Sequence, residues 1–200
     1  MNADTPIKNL SGIHYLSHDV LQSLHLSAND VVASIEQLIL GKQQQRVWNA
    51  PKAVITPPDG RYMMATLAAA DDPPFLAVKA LVLNPDNPSR GMASINSLVT
   101  LLDSHSGLPL AVIDGNWVTA VRTAGLSAVA ALRLARPDAS VAAFIGCGVQ
   151  ARSHLQVLIE LFPIKQVCAF ARSAASREAF CDFAENLGLM VMNCTSAQQA

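Results

Sequence analysis

The strictest constraint on the fold is an apolar run that leads into two glycines separated by a single residue. Residues 141–151 read VAAFIGCGVQA, which places the spacing G-x-G-x-x-A directly after five residues typical of a buried strand. In that spacing Gly146 permits a tight turn, Gly148 lets a diphosphate approach the backbone, and Ala151 is small enough for the helix to pack on the strand. The segment predicts a dinucleotide-binding turn; a strand-to-helix turn without a ligand is the alternative.

The last third of the chain alternates helices and strands, which indicates βαβ units and a parallel sheet. The helix after the glycines would present the N–H groups of Val149 and Gln150 to the phosphates. Because the strand before them carries no charge, we expect both of its faces to be covered. The predicted elements are a helix at 119–135, a strand at 141–145, a helix at 149–162, a strand at 167–170, a helix at 174–187 and a strand at 189–192.

The segment before Asp114 has a different pattern, because short apolar runs alternate there with turns rich in Pro, Gly, Asn and Asp. This punctuation predicts a mostly antiparallel sheet. Upstream of it we expect a short strand at 13–16 and a helix that is capped by Ser27 or Asn29 and stopped by Gly41.

Together these patterns predict an α/β chain with two domains. Residues 1–118 form an α+β domain, and residues 119–200 form a Rossmann-type domain with a parallel sheet. A doubly wound domain has two halves with the dinucleotide across them, and the 200 residues hold only the first. We therefore expect the Rossmann domain to be incomplete and the chain to be an amino-terminal or truncated piece.

Composition excludes several classes of protein. Apolar residues are 51% and charged ones 14%, which predicts a sizeable core and excludes a disordered chain. A net charge of −1 and 5% aromatic residues do not favour binding to nucleic acid or to an anionic membrane.

The sequence also predicts no membrane span and no signal peptide. No run reaches ~18 uncharged apolar residues, and residues 1–10 carry no apolar signal core. The four cysteines lack a C-x-x-C spacing and the histidines lack a metal-binding one, so we expect no metal and a reducing, cytoplasmic location.

The cofactor is selected at the end of the second strand of the βαβ unit. An Asp or Glu there would hold a ribose 2′-OH, but none occurs between Glu160 and Glu178. Instead Arg172 can pair with a 2′-phosphate, and Ser173 can add a hydroxyl while it caps the next helix. This favours NADP(H), with NAD(H) still possible; an ordinary exposed arginine is the alternative for Arg172.

Four segments follow one another along the chain: AVKALV at 77–82, GLPLAVIDG at 107–115, VTAVRTA at 118–124 and FIGCGVQA at 144–151. In this ordered combination they resemble the ornithine cyclodeaminase/mu-crystallin family. The resemblance covers roughly residues 40–190, and the Arg172-Ser173 pair is similar to the mu-crystallin-like ketimine reductases, which use NADPH. One departure is Met63-Met64-Ala65, where many members read Met-Pro-Ala.

The resemblance implies a dimer and a site between the substrate domain and the Rossmann domain. It makes Lys79 the active-site lysine near the substrate carboxylate, and Arg122 and Arg46 the arginines that bind that carboxylate. Thr123 would lie near the cofactor phosphates. The family's catalytic Asp would lie beyond Ala200.

The residues themselves leave alternatives open. Lys79 is the one charge in the apolar run 75–83, so it needs a partner or an altered pKa, unless the strand is an edge with the lysine in water. Arg122 lies in an apolar helix, and a buried arginine requires an anion, either a ligand carboxylate or an internal salt bridge with Asp103 or Asp114. Arg46 follows three glutamines and fits a solvated segment equally well.

Three functions follow. The leading one is NAD(P)H-dependent reduction of a small cyclic imino acid, Δ1-pyrroline-2-carboxylate or Δ1-piperideine-2-carboxylate, to proline or pipecolate. The alternatives are ornithine cyclodeamination to proline and ammonia, and a non-catalytic, crystallin-like NADP-binding protein. A homodimer and a small imino or amino acid are the expected partners.

Overall fold

The computed structural model describes residues 12–200, and these form two compact units. The first comprises residues 12–24 and 40–117, and the second comprises residues 25–39 and 118–200. The assignment of residues 1–118 and 119–200 to separate functions stays a prediction. The expectation about a signal core falls on residues 1–10, which lie outside the described part.

The first unit is built on a seven-stranded sheet with the order β1-β7-β6-β5-β4-β2, in which β3 also pairs with β4. Neighbours from β2 to β7 are antiparallel, as predicted, and β1 is parallel to β7. A short helix, α1 (His18–Gln22), and a 3-10 turn at Asn87–Arg90 complete it. The strands are β1 (His14–Leu16), β2 (Val47–Asn49), β3 (Ala53–Ile55), β4 (Tyr62–Asp71), β5 (Pro74–Leu83), β6 (Ile95–Asp103) and β7 (Pro109–Asp114).

The second unit contains a three-stranded parallel sheet with the order β10-β9-β8. Its core joins the central strand to the helix before it and the helix after it through Leu155, Val167 and Phe180, which are all fully buried. The alternation confirms the predicted α/β class. Its strands are β8 (Val141–Ile145), β9 (Gln166–Phe170) and β10 (Met190–Asn193), and its helices are α4 (Val149–Leu161) and α5 (Ala174–Asn186).

Two longer helices each contain residues of both units, and both differ from their predicted bounds. The first, α2, spans Ala28–Gln43, so the expectation that Gly41 stops it was wrong. A Cβ at Gly41 would lie 2.8 Å from Cγ2 of Val47, so close packing, rather than a helix end, requires this glycine. At the other end, Ser27 and Asp30 exchange side-chain to backbone hydrogen bonds of 3.2 Å in each direction, which confirms Ser27 as the cap.

The second of these helices, α3, spans Gly115–Leu134 and begins four residues before the predicted Thr119. The carboxylate of Asp114 accepts a 2.8 Å hydrogen bond from the N–H of Trp117, which is the contact of a helix cap. A Cβ at Gly115 would lie 2.6 Å from the carbonyl carbon of Ser97. The Asp114-Gly115 pair is therefore the start of α3.

The expectation that both faces of β8 are covered was wrong for the described residues. Val141 is 53% exposed and Ile145 69%. The exposed residues Val141, Ala143 and Ile145 alternate along β8 and therefore share one uncovered face, whereas β9 is buried on both faces through Val167, Cys168 and Ala169.

A candidate dinucleotide-binding site

The glycine turn joins the end of β8 to the end of β9. Gly146 has a φ of +103°, which disfavours any residue with a Cβ. Its N–H donates a 2.7 Å hydrogen bond to the carbonyl of Phe170, and the Cys147 thiol donates to the same oxygen at 3.6 Å. This turn is therefore fixed by backbone geometry before any ligand binds.

The N-terminus of α4 is open to an anion. Its N-cap is Gly148, which has no side chain to accept from the first-turn N–H groups. A Cβ built on Gly148 would meet nothing within 4 Å, so the glycine is not required by packing. Val149 and Gln150 are exposed, whereas Ala151 is buried in the core as predicted. An uncapped helix N-terminus of this kind binds phosphate through its N–H groups and dipole.

A cavity extends from the glycine turn to the start of α5. Arg172 is exposed there, and its side chain makes no hydrogen bond or ion pair with residues 12–200. Ser173 caps α5 by accepting a 3.3 Å hydrogen bond from the N–H of Ser176. The cavity is lined by Ile145, Gly146, Cys147, Gly148, Phe170, Ala171, Arg172, Ser173 and Ser176, with no acidic residue among them.

All four cysteines are free and buried. Burial raises the pKa of the Cys147 thiol, although the charge of Arg177 opposes the shift. Burial also raises the pKa values of Cys168 and Cys181. Cys147 therefore contributes a neutral thiol to the cavity. Within residues 12–200 no group of three His, Cys, Asp or Glu side chains could hold a metal ion, and no helix is long and apolar enough to cross a membrane.

The remaining predicted residues of the second unit lie on α3. Arg122 is exposed, so the expectation that it is buried was wrong. Its proposed internal partners are engaged locally, because Asp114 caps α3 and Asp103 accepts from Ser106 at 2.6 Å. The hydroxyl of Thr123 donates to the carbonyl of Thr119 at 2.5 Å and keeps its lone pairs for a ligand. Roles for both in binding stay predictions.

Lys79 lies in the first unit and is partly buried. It faces Thr66 on β4 and Val99 on β6 in the sheet register. Since β5 lies between β4 and β6, the alternative of an edge strand is excluded. The lysine is therefore held on an internal strand, which favours a role that needs fixed geometry.

Arg46 lies toward the other end of the same sheet. Its carbonyl accepts from the N–H of Asp71 at 3.0 Å, and Asp71 pairs with Pro74. Lys79 is five residues further along β5 than Pro74, which is about 17 Å at ~3.4 Å per residue. The guanidinium of Arg46 donates to the side-chain oxygen of Gln44. The structure therefore does not bring the backbones of Arg46 and Lys79 together.

The register also reveals a cation that the sequence patterns missed. Asn49 at the end of β2 pairs with Ala68, and Ala53 at the start of β3 pairs with Ala65. Three residues, 50–52, therefore lie opposite two residues of β4, 66–67, so the segment between β2 and β3 contains one extra residue. This bulge places the exposed Lys52 at the level of Thr66, which is also the level of Lys79. Only strand pairing could find Lys52, because its sequence context, Pro51-Lys52-Ala53, has no distinctive pattern.

The strand, the glycine turn, the uncapped helix and the cavity at the end of β9 define a Rossmann-type dinucleotide-binding fold. The model of the ornithine cyclodeaminase/mu-crystallin family matches residues 15–200. The chain belongs to this family, which confirms the resemblance seen in the sequence.

Each match with an individual relative covers only part of that relative's length. The chain is 35% identical over 138 residues to ketimine reductase mu-crystallin of Rattus norvegicus, covering 69% of this chain and 42% of the relative. It is 43% identical over 110 residues to an uncharacterized cyclodeaminase of Sinorhizobium fredii, covering 53% and 33%. Among solved structures, the Thermococcus litoralis Δ1-pyrroline-2-carboxylate reductase in complex with NADH and L-proline matches with a TM-score of 0.84 and 29% identity, covering 90% and 56%. The chain thus spans about half, or less, of the curated relatives it matches.

Proposed function

We propose that the protein is an NAD(P)H-dependent reductase of small cyclic imino acids, with Δ1-pyrroline-2-carboxylate or Δ1-piperideine-2-carboxylate as substrate and proline or pipecolate as product. The observation that carries the proposal is the open glycine turn, which adjoins a cavity with an unengaged arginine, in a chain of this family. The similarity to a reductase that was solved with NADH and L-proline supports the substrate class.

The residues present fit a dinucleotide. Gly148 leaves space beside the N–H groups of Val149 and Gln150, which would hold the diphosphate. Arg172 and Ser173 would hold a 2′-phosphate, which favours NADP(H) over NAD(H) because a guanidinium binds phosphate through paired hydrogen bonds. When bound, the cofactor would supply a hydride to the carbon of the C=N bond.

The substrate would be held by cationic side chains. A carboxylate binds best to a planar guanidinium, and we assign this role to Arg122, with Arg46 as the second candidate. Lys79 would donate a proton to the ring nitrogen, because an ammonium on an internal strand keeps a fixed position for proton transfer. Lys52 is a further candidate for the carboxylate, because it lies at the level of Lys79 in the sheet.

A homodimer is also part of the proposal. The register places Met63, Leu67 and Leu98 on one face of the seven-stranded sheet, and each is about half exposed, at 46%, 52% and 48%. A contiguous exposed apolar face of a sheet is typical of an interface between subunits. We expect light scattering to give twice the chain mass and Leu67→Glu to give the single mass. The cytoplasmic location stays a prediction.

Cyclodeamination of ornithine is the second candidate, because a 110-residue stretch is 43% identical to a cyclodeaminase. The protein should oxidise NADPH when a cyclic imine is added, followed by the absorbance of the reduced nicotinamide. Release of ammonia from ornithine without added NADPH would indicate the cyclodeaminase instead. Tight NADPH binding with neither reaction would indicate the crystallin-like binding protein.

Variants test the assigned roles. Lys79→Met should lower kcat at least a hundredfold, the lower range for loss of general acid catalysis. Arg122→Met should mainly raise KM for the imine, because it removes a contact to the carboxylate. Lys165→Met is the matched control, since Lys165 is exposed and lies outside every proposed contact. Equal rates for Lys79→Met and Lys165→Met would rule out the proton-transfer role.

A further inference from the structure

The side chain of Arg177 connects the ends of two strands beside the cavity. Arg177 lies one turn into α5 and is partly buried. Its Nη1 donates to the carbonyl of Ala171 at 3.2 Å, and its Nε donates to Oδ1 of Asn193 at 2.5 Å. Ala171 follows β9 and Asn193 ends β10. One guanidinium therefore holds the position of the turn after β9 relative to β10.

That turn carries the residues that face the cavity. Arg172 follows Ala171 directly, and its own side chain has no hydrogen bond or ion pair with residues 12–200. Because Arg172 has several rotatable bonds, ordering it on a ligand costs side-chain entropy, and a mobile backbone would add to that cost. Fixing the Ala171 carbonyl reduces the number of positions from which Arg172 approaches a ligand.

Arg177 also contributes positive charge to the cavity from outside its lining. Burial raises the pKa of the Cys147 thiol, and the charge of Arg177 acts in the opposite direction, so its field reaches the glycine turn. No carboxylate of residues 12–200 lies within ion-pair distance of Arg177. An unneutralised guanidinium near a cavity stabilises a bound anion.

We propose that Arg177 is a positioning residue for the adenosine 2′-phosphate of NADP(H): it holds the turn at residues 171–173 so that Arg172 and Ser173 meet the phosphate. This inference rests on the proposed preference for NADP(H). It adds a residue that does not line the cavity and acts through the Ala171 carbonyl.

The test uses adenosine 2′,5′-bisphosphate and adenosine 5′-monophosphate, which differ in the 2′-phosphate and require only the adenosine side of the site. Calorimetry should show that the wild-type protein binds the bisphosphate more tightly. Arg177→Met should weaken bisphosphate binding about tenfold, the lower range for a hydrogen bond to a charged group, and monophosphate binding less than about twofold. Asn193→Ala should move the ratio of the two Kd values in the same direction by a smaller amount.

Two further variants separate positioning from charge and from general stability. Arg177→Lys keeps the charge but cannot reach both acceptors, so its Kd ratio should fall toward that of Arg177→Met; a wild-type ratio would overturn the positioning role. Arg152→Met is the matched control, because Arg152 also donates to a backbone carbonyl, that of Ala179 at 2.9 Å, away from the cavity lining. Its ratio should not change.

The outcomes distinguish this inference from the proposed function. Equal wild-type affinities for the two ligands would overturn the preference for NADP(H) and the role of Arg177 with it. If Arg172→Ala abolishes the discrimination but Arg177→Met or Asn193→Ala leaves it intact, the preference stands and the role of Arg177 is refuted.

Discussion

Replacing Gly148 or Gly188 by alanine should have opposite effects: Gly148→Ala should weaken ligand binding without loss of stability, and Gly188→Ala should lower stability without loss of binding. Gly148 has φ −89° and ψ −165°, which any residue adopts, and space for a Cβ. Loss of glycine at an N-cap costs about 0.5 kcal/mol, and a gain of about 0.4–1 kcal/mol from the unfolded chain offsets it. Gly148→Ala should therefore leave the free energy of unfolding within about 0.5 kcal/mol of wild type.

Binding of the diphosphate should weaken in the Gly148→Ala variant. The added methyl group lies beside the first-turn N–H groups of α4, where a diphosphate must approach. Losing one charge-assisted hydrogen bond costs about 1.5–3 kcal/mol, which is a tenfold to hundredfold weaker Kd at about 1.4 kcal/mol per decade. Calorimetry with ADP, which carries the diphosphate, and urea unfolding of the same samples measure the two effects.

Gly188 supplies the control. It has a φ of +80° and also has space for a Cβ, but it lies after α5 and outside the cavity lining. Gly188→Ala should cost about 1 kcal/mol of stability, because strain of about 1–2 kcal/mol exceeds the unfolded-state gain, and ADP binding should not change. Wild-type ADP affinity in Gly148→Ala would refute the reasoning, since the glycine would then serve no phosphate.

Three further predictions concern stability. Gly125→Ala should lower the free energy of unfolding by about 1–2 kcal/mol, because overpacking outweighs the gain in helix propensity. The new Cβ would lie 2.4 Å from Cγ1 of Val31 and 2.7 Å from Cδ1 of Ile35. In a Val31→Ala background only the contact with Ile35 remains, so urea unfolding should show a smaller loss. Glu160→Ala should cost about 1–2 kcal/mol, since a Glu160 oxygen accepts a 2.7 Å hydrogen bond from the first N–H of α2, and Glu160→Gln should cost less. Hydrogen bonds from Ser106 lower the pKa of Asp103 in the folded protein. The carboxylate therefore stabilises the fold above its unfolded-state pKa, and this contribution is lost as the pH falls through its folded-state pKa. Asp103→Asn should make the urea midpoint fall less steeply below about pH 4, and the same pH dependence as in wild type would contradict this.

The parallel unit was predictable almost residue by residue, whereas helix ends near the antiparallel sheet were not. Local pattern located β8 and α4 because periodicity and glycine spacing are properties of neighbouring residues. The errors at the end of α2 and at the start of α3 have one cause: the glycine there is required by tertiary packing, against the side chain of Val47 for Gly41 and against the backbone of Ser97 on β6 for Gly115. A lone glycine cannot show whether it ends a helix or admits a neighbour.

The candidate site divides in the same way. Gly146, Gly148, Ala151, Arg172 and Ser173 were found from sequence, because a βαβ unit places them at fixed spacing along the chain. Lys52 and Arg177 were not, because their positions follow from strand pairing and from hydrogen bonds across the ends of β9 and β10. Arg122 was misjudged as buried because an apolar helix does not show which of its faces meets solvent.

The sequence by itself determined the glycine turn, the alternation of strands and helices, and the absence of an acidic residue beside Arg172, since each is a matter of residue type at short range. Tertiary structure alone decided that Lys79 lies on an internal strand, that β8 is an edge of the described sheet, and that Arg177 ties two strand ends together. The physical reason is that burial and hydrogen bonding between distant segments depend on which strands pair, and pairing is set by the whole sheet rather than by any one segment.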